Sequence, residues 1–100
     1  MAAYLVLMHE VDDVDRYRTE YIPAVRPFLE RYGAEVLVAS FAAEAAEGEP
    51  PNRTVVLRFP DAEAAWGLLD DPEYQPVREI RFGITSRGQA VVVPGFTPES

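Results

Sequence analysis

One hundred residues allow a single domain, and the absence of cysteine excludes disulfides, thiolate metal sites and a cysteine nucleophile. The formal net charge of −8 argues against nucleic acids and anionic membranes as partners, because both bind clustered cations. The first apolar run is too short to span a bilayer and lacks the basic start and cleavage site of a signal peptide, so we expect a soluble cytoplasmic protein.

The chain opens with a pattern typical of a strand followed by a helix. Ala3–Val11 predicts the first strand, and Asp12 or Asp13 is placed to cap the helix that follows. Apolar residues then recur at helical spacing until Gly33, where we expect the helix to end. Pro23 and Pro27 each remove a backbone donor from this helix, so we expect a kink or a break near Ile22.

The rest of the chain predicts a hairpin, two short helices and a last strand. The expected elements are strands over 34–42 and 53–59, helices that begin at Asp61 and at Asp71, the second ending at Phe82, a strand over 89–96, and a loose tail over 97–100. The order strand, helix, strand, strand, helix pair, strand is the split βαβ pattern. It predicts an α+β, ferredoxin-like βαββαβ domain over residues 1–96, with an antiparallel sheet and the helices on one face.

The predicted strands are apolar on both faces, whereas a sheet covered on one side should alternate between apolar and polar residues. Val6 and Met8 oppose Leu5 and Leu7, and Val36 and Val38 oppose Leu37. Because helices can cover only one face, we expect a second copy to pack sheet against sheet, which gives a homodimeric α/β barrel. The alternative is a monomer with a large exposed apolar patch, which is rare in stable proteins.

Several stretches of the sequence resemble the DUF1330 family, small proteins of unknown function in the dimeric α/β-barrel superfamily. The resemblance rests on "DDVDRYRTEY", "VVLRFPDAEAAW", "DPEYQPVR" and "VVVPGF", and it covers residues 2–96. It implies the same fold and a dimer. Relatives in the wider superfamily include cofactor-free monooxygenases, isomerases and haem-degrading enzymes with a pocket between helices and sheet, but a shared fold does not transfer function.

His9 is the candidate acid or base, because its side chain alone in this sequence has an ordinary pKa near neutral pH. The alternative is a packed histidine with no chemical role. It has no partner at a recognised metal-ligand spacing, so we expect neither a metal nor an organic cofactor.

Four aromatic side chains are candidates for a ligand site, namely Tyr17, Tyr21, Trp66 and Tyr74. The first two lie one turn apart on the inward stripe of the first helix, where their hydroxyls need partners or a ligand. Trp66 and Tyr74 lie on either side of the second helix break and could form the opposite wall. Aromatic cavities with few polar groups are typical of small-molecule sites, and packing in the core is the alternative role.

Arginines add a second candidate feature. Arg78 and Arg81 are three residues apart on the last helix and could bind a ligand carboxylate, or else lie on a solvated face or in an intersubunit ion pair. Arg58, in the third strand, needs an acidic partner or a ligand if both sheet faces are covered.

Three functions remain open at this point. The first is a homodimer that binds a small organic molecule between sheet and helices. The second is a cofactor-free enzyme, monooxygenase-like or isomerase-like, that uses His9 as its acid or base. The third is a purely structural or interaction dimer. The first two share a pocket, and only the second predicts turnover.

Overall fold

The computed structural model describes residues 1–98, so the last two residues of the predicted tail lie outside the described part. Its elements are β1 (Ala3–Val11), α1 (Val14–Arg16), a π-helical turn (Tyr17–Tyr21), α2 (Ile22–Arg31), β2 (Glu35–Ser40), β3 (Arg53–Phe59), α3 (Ala62–Asp70), α4 (Gln75–Gly83) and β4 (Thr85–Pro94). The bounds of β1 and β3 agree with the sequence prediction.

The four strands form one antiparallel sheet in the order β2-β3-β1-β4. This arrangement confirms the predicted α+β, ferredoxin-like fold. Alternate residues of β1 are buried beneath the helices: Ala3, Leu5, Leu7, His9 and Val11. His9 therefore lies on the face that the helices cover, a point that periodicity alone could not decide.

The hydrophobic core lies between this face and the helices. Its larger cluster joins Leu5, Leu7, Leu57 and Phe59 of the sheet to Phe28, Ala65, Leu68 and Leu69 of the helices. Phe59 and Leu68 are the largest side chains that are fully enclosed. Each such side chain contributes about 1.5–3 kcal/mol when it leaves water, so this cluster holds α3 against the sheet.

The first helical segment is irregular just before Pro23. Asp13 caps its start by accepting a hydrogen bond from the Arg16 backbone N–H at 3.0 Å. The Ile22 N–H then donates to the Tyr17 carbonyl, five residues earlier, which widens the helix by one residue. Pro23 has no N–H to offer. The predicted break near Ile22 is therefore a π-helical turn in a continuous helical path.

The last helix begins later than predicted. The expected start at Asp71 is a tight turn, in which the Asp71 carboxylate accepts the Glu73 N–H at 2.9 Å and its carbonyl accepts the Tyr74 N–H at 2.9 Å. Pro76 cannot donate a hydrogen bond back to the preceding turn, so regular α4 geometry begins only at Gln75.

The two edge strands also differ from their predicted pattern. In β2 the register shifts at Leu37, so that Val36 lies opposite Leu57 while Val38 lies opposite Val56. A bulge of this kind places Val36 on the helix side and Val38 on the other face, whereas simple alternation predicted one face for both. The strand β4 begins at Thr85 rather than at residue 89, because its first residues pair with the end of β1.

The sheet face opposite the helices is mostly apolar, and we call it the open face. Its register partners include Tyr4 with Val93, Val6 with Val91 and Val56 with Val38. Val91 is 44% exposed, and Val38 and Val93 are exposed as well. No helix of the described chain covers this surface.

Gly88 allows β4 to approach β1 at His9, because the two residues lie directly opposite each other with Gly88 at φ +150°. A Cβ at this position would collide with the Met8 carbonyl oxygen and with the backbone of His9. We therefore expect Gly88→Ala to lower the free energy of unfolding by about 3 kcal/mol, measured by urea titration.

Gly83→Ala is the matched control, since the added Cβ meets no atom within 4 Å. Its free energy of unfolding should change by no more than about 1 kcal/mol. Equal midpoints for Gly88→Ala and the unmodified chain would contradict the close approach of the two strands.

Candidate ligand site between helices and sheet

A cavity of about 410 Å³ lies between the helices and the covered face of the sheet. Most of its wall is apolar, with Leu5, Leu7 and Leu57 on the sheet side and Val25 and Leu29 on the helix side. This volume is within the range of about 300–1,000 Å³ that is usual for small-molecule sites.

The cavity opens between α2 and the edge strand β2. Arg26, Val36 and Ala39 line it on this side, and all three are exposed. The bulge at Leu37 places Val36 here, so the edge of the sheet forms one lip of the opening. A ligand can therefore reach the cavity from solvent.

Three buried tyrosines form the aromatic wall of the cavity, as predicted for Tyr17, Tyr21 and Tyr74. The Tyr21 and Tyr74 hydroxyls are hydrogen-bonded at 2.8 Å, and the Tyr17 and Tyr21 rings lie 5.2 Å apart. Burial and the neighbouring Tyr74 raise the pKa of Tyr21 well above its ordinary value. The Tyr21 hydroxyl therefore keeps its proton at neutral pH. In a pair of hydroxyls joined by one hydrogen bond, a second O–H remains that can donate to a ligand.

The π-helical turn is what brings the tyrosines into the site. Tyr17 and Tyr21 are its first and last residues, and both are buried. At the other end, the turn at Asp71 fixes Tyr74. The Asp71 carboxylate accepts hydrogen bonds from the Tyr32 hydroxyl at 2.6 Å and from Arg31 at 2.8 Å.

These contacts, with the Tyr32 hydrogen bond as the largest cause, lower the pKa of the Asp71 carboxyl. The ionised carboxylate therefore ties the end of α2 to the turn that carries Tyr74. The aromatic wall is held from both sides by hydrogen bonds that lie outside the cavity.

His9 lies beside the tyrosine cluster, with its ring 5.7 Å from that of Tyr17. Neither ring nitrogen has a hydrogen-bond partner among residues 1–98. Burial, followed by the charges of Arg81 and Arg53, lowers its pKa from 6.5 to about 4. His9 is therefore neutral at physiological pH.

His9 faces a second cavity, of about 440 Å³, between α4 and β4. Arg78, Arg81 and Gly88 also line it. Arg81 also lines the first cavity, the one beside the three tyrosines, so this residue belongs to the walls of both cavities.

Two arginines of the site are buried without an acidic partner. Arg53 is 7% exposed and Arg81 is 6% exposed, and neither forms an ion pair within residues 1–98. The Arg53 Nε makes a long hydrogen bond of 3.4 Å to the Tyr17 hydroxyl, and the Arg81 Nε has no partner. Burying a charge in this way is costly unless something compensates it.

Aromatic rings provide part of that compensation. The Arg53 guanidinium lies 4.5 Å from the Phe41 ring centre and 5.1 Å from that of Tyr17. Arg81 lies 4.9 Å from the Phe82 ring centre. Contacts of this kind contribute about 0.5–2 kcal/mol each, and a ring does not provide the carboxylate oxygens that the guanidinium N–H groups bind most strongly.

Sequence reasoning did not identify Arg53 as a site residue, although the strand pattern carried a signal. Arg53, Val55 and Leu57 alternate along β3, so an arginine occupies the first position of a buried apolar stripe. Arg81 was considered together with Arg78 as a possible binder of a ligand carboxylate, with a solvated face or an intersubunit ion pair as the alternatives.

The other predicted site residues are placed differently. Trp66 is 53% exposed on the outer side of α3 and does not line the first cavity. Arg78 lines the second cavity, where its Nη1 donates to the Leu69 carbonyl at 3.4 Å. Arg58 is exposed on the open face and lies 3.7 Å from the Glu35 carboxylate.

Within residues 1–98, the His, Asp and Glu side chains form no cluster of three that could hold a metal ion. In the same part of the chain, no helix is long and apolar enough to cross a membrane.

Comparisons with known proteins match the chain along most of its length. The model of a family described as a domain of unknown function, DUF1330, matches residues 2–96. No curated protein matches the chain in sequence.

Solved structures with low sequence identity share the fold. A protein of unknown function from Rhodopseudomonas palustris has a TM-score of 0.79 at 13% identity, over 97% of this chain and 84% of its own. A dimeric protein of unknown function with a ferredoxin-like fold, from Bacteroides fragilis, has a TM-score of 0.60 at 11% identity, over 91% and 93%. A protein named as a candidate antibiotic biosynthesis monooxygenase, from Bacteroides thetaiotaomicron, has a TM-score of 0.56 at 20% identity, over 97% and 91%. These identities establish the fold alone.

The burial of neutral His9 predicts a loss of stability in mild acid. The unfolded chain protonates its histidine near pH 6.5, but the folded chain does so only near pH 4. Above pH 6.5 the histidine is neutral in both states, so its burial carries no charge penalty. As the pH falls from 6.5 toward 4, only the unfolded chain takes up the proton, and the free energy of unfolding therefore decreases. Between about pH 7.5 and about pH 5, the free energy of unfolding should fall by about 2 kcal/mol.

The comparison variant is His9→Leu, because His9 is the chain's only histidine. Urea titrations at both pH values should show a much smaller fall for this variant. The same fall in both proteins would mean that His9 does not cause it.

Proposed function

Because the chain belongs to the DUF1330 family of domains of unknown function, its activity has to be inferred from its own site, and we propose that it is a homodimer that binds a small organic molecule. The ligand would occupy the cavity between helices and sheet. The observation that carries this proposal is an apolar cavity of about 410 Å³ with three buried tyrosines in its wall.

A cavity of this size has a cost in stability, which argues that it has a role. Protein interiors are close-packed, and an empty apolar space destabilises the fold roughly in proportion to its volume. Here a π-helical turn and an edge-strand bulge, both local departures from regular geometry, lie on its wall. Such departures are often found at functional sites, which supports a ligand role.

The open face supports the homodimer. Val38, Val91 and Val93 are exposed there, beside Val6 and Val56. An apolar sheet surface of this kind is typically covered by another sheet. The dimeric ferredoxin-like protein from Bacteroides fragilis shows that a similar fold can self-associate, and we propose a sheet-to-sheet dimer for this chain.

The enzyme alternative, with His9 as its acid or base, has weaker support. A neutral imidazole with both nitrogens unpartnered could accept a proton, but a pKa of about 4 makes it a poor base in the empty site. This alternative requires a turnover that His9→Gln abolishes, and an unchanged rate in that variant would remove His9 from the reaction.

Filling the mouth of the cavity should block ligand entry. We expect the neutral fluorescent probe N-phenylnaphthylamine to bind the unmodified chain with increased fluorescence, and Ala39→Trp to weaken this binding about tenfold or more. The control is Ala43→Trp, which adds the same side chain at an exposed position outside the cavity wall. Equal binding by both variants, or no binding by the unmodified chain, would contradict the proposed site.

The dimer can be tested at the open face. Light scattering at micromolar concentration should give twice the chain mass of 11.2 kDa. Val91→Lys, which places a charge in the proposed interface, should give a monomer. The control is Trp66→Lys, because Trp66 is also an exposed apolar residue but lies on the helix side of the domain. A monomeric mass for the unmodified chain would overturn the dimer.

A further inference from the structure

The arginines of the site point to the chemical class of its ligand. We infer that the cavity takes an amphipathic carboxylate, with the apolar part against the leucines and the carboxylate between Arg53 and Arg81. This inference rests on the proposed function, since it names what the proposed cavity binds.

The first argument is an unbalanced charge. The chain carries an excess of acidic residues, with 17 Asp and Glu against 9 Lys and Arg. Even so, neither Arg53 nor Arg81 pairs with a carboxylate within residues 1–98. Arg16, Arg31, Arg58 and Arg87 on the surface all do. Arg18, Arg26 and Arg78 also form no ion pair within residues 1–98. Of the unpaired arginines in this part of the chain, however, only Arg53 and Arg81 are buried, and a buried position is where an unpaired cation costs most.

The second argument is position. Arg53 begins β3 and Arg81 lies in the last turn of α4, so separate elements bring the two guanidiniums to the wall of one cavity. Each lies close to an aromatic ring, Phe41 for Arg53 and Phe82 for Arg81. A ring attracts the cation but does not accept the paired N–H hydrogen bonds that a carboxylate accepts from a guanidinium, so both arginines still lack their strongest type of partner.

The third argument is the rest of the wall. The Tyr21 and Tyr74 pair provides one further hydroxyl donor in the wall of this cavity. Beyond these groups the cavity is aliphatic, from Leu5 and Leu7 to Val25 and Leu29. A ligand with one small anionic group and an apolar body matches this division, whereas a highly charged phosphate ester would bury much of its charge against leucine side chains.

An arginine kept for ligand binding should not be needed for folding. Replacing a buried, unpaired cation with an apolar side chain of similar length is often neutral or stabilising. Arg53→Met and Arg81→Met are therefore expected to bind the carboxylate more weakly while their urea midpoints stay equal to, or rise above, that of the unmodified chain. A purely structural arginine would give the opposite result for stability.

The experiment is a calorimetric comparison of matched acids and amides. Octanoate and naphthoate are titrated into the unmodified chain beside octanamide and naphthamide, which have the same shape without the charge. We expect the acids to bind at least about tenfold more tightly than the amides. Arg53→Met and Arg81→Met should each weaken acid binding by about ten- to a hundredfold and leave amide binding nearly unchanged.

Arg16→Met is the matched control, because it removes the same charge from an exposed ion pair with Glu20 outside the cavity. Its acid affinity should equal that of the unmodified chain. If either buried variant fails to fold, the lysine variant at the same position, Arg53→Lys or Arg81→Lys, which keeps the charge, takes its place in the comparison. The ratio of acid affinity to amide affinity in the unmodified chain tests the inference without any variant.

The outcomes separate this inference from the function on which it rests. Equal affinity for acids and amides, or binding of N-phenylnaphthylamine with no binding of either acid, overturns the carboxylate and leaves the cavity as a ligand site. No binding of the neutral probe, the acids or the amides overturns both. Tight acid binding that the two buried variants lose and Arg16→Met keeps supports the inference.

Discussion

The central strand β1 is hydrogen-bonded along both edges and apolar on both faces, and the other elements are arranged around these two properties. Its edges pair with β3 and β4. Its residues Leu5 and Leu7 face the helices, while Val6 and Met8 face the open side. The helical layer satisfies one face only, so the single chain has both an enclosed core and an apolar surface.

The covered face is not apolar throughout. The buried residues of β1 include His9 after Leu7, and the buried residues of β3 begin with Arg53. His9 and Arg53 are register partners, so the sheet itself places an imidazole beside a guanidinium under the helices. Arg81 reaches the same region from α4. Burial, together with these positive charges, lowers the pKa of His9 and keeps it neutral. The two guanidiniums themselves are compensated by aromatic rings and, for Arg53, by one long hydrogen bond to the Tyr17 hydroxyl.

The cavity depends on interactions that lie outside it. Asp71 binds Tyr32 and Arg31 and so joins the end of α2 to the turn before α4. The π-helical turn fixes Tyr17 and Tyr21 at the other end of the first helical segment. Together these features hold the helices above the sheet with space between them. A regular α-helix over the same residues would place the two tyrosines differently, because the extra residue in the turn shifts the helical phase.

Local sequence patterns were enough to predict the order and type of the elements, the bounds of β1 and β3, and the ferredoxin-like fold, because strand alternation, helix caps and proline positions act over a few neighbouring residues. They also pointed to the tyrosines of the cavity wall, since Tyr17 and Tyr21 repeat at helical spacing. Tertiary packing was needed to show that Val36 and Val38 face opposite sides, that Trp66 lies on the surface and that Arg53 and Arg81 line one cavity. Each of these depends on a bulge, on helix placement or on pairing between residues far apart in the chain, and no local pattern records how distant side chains come together.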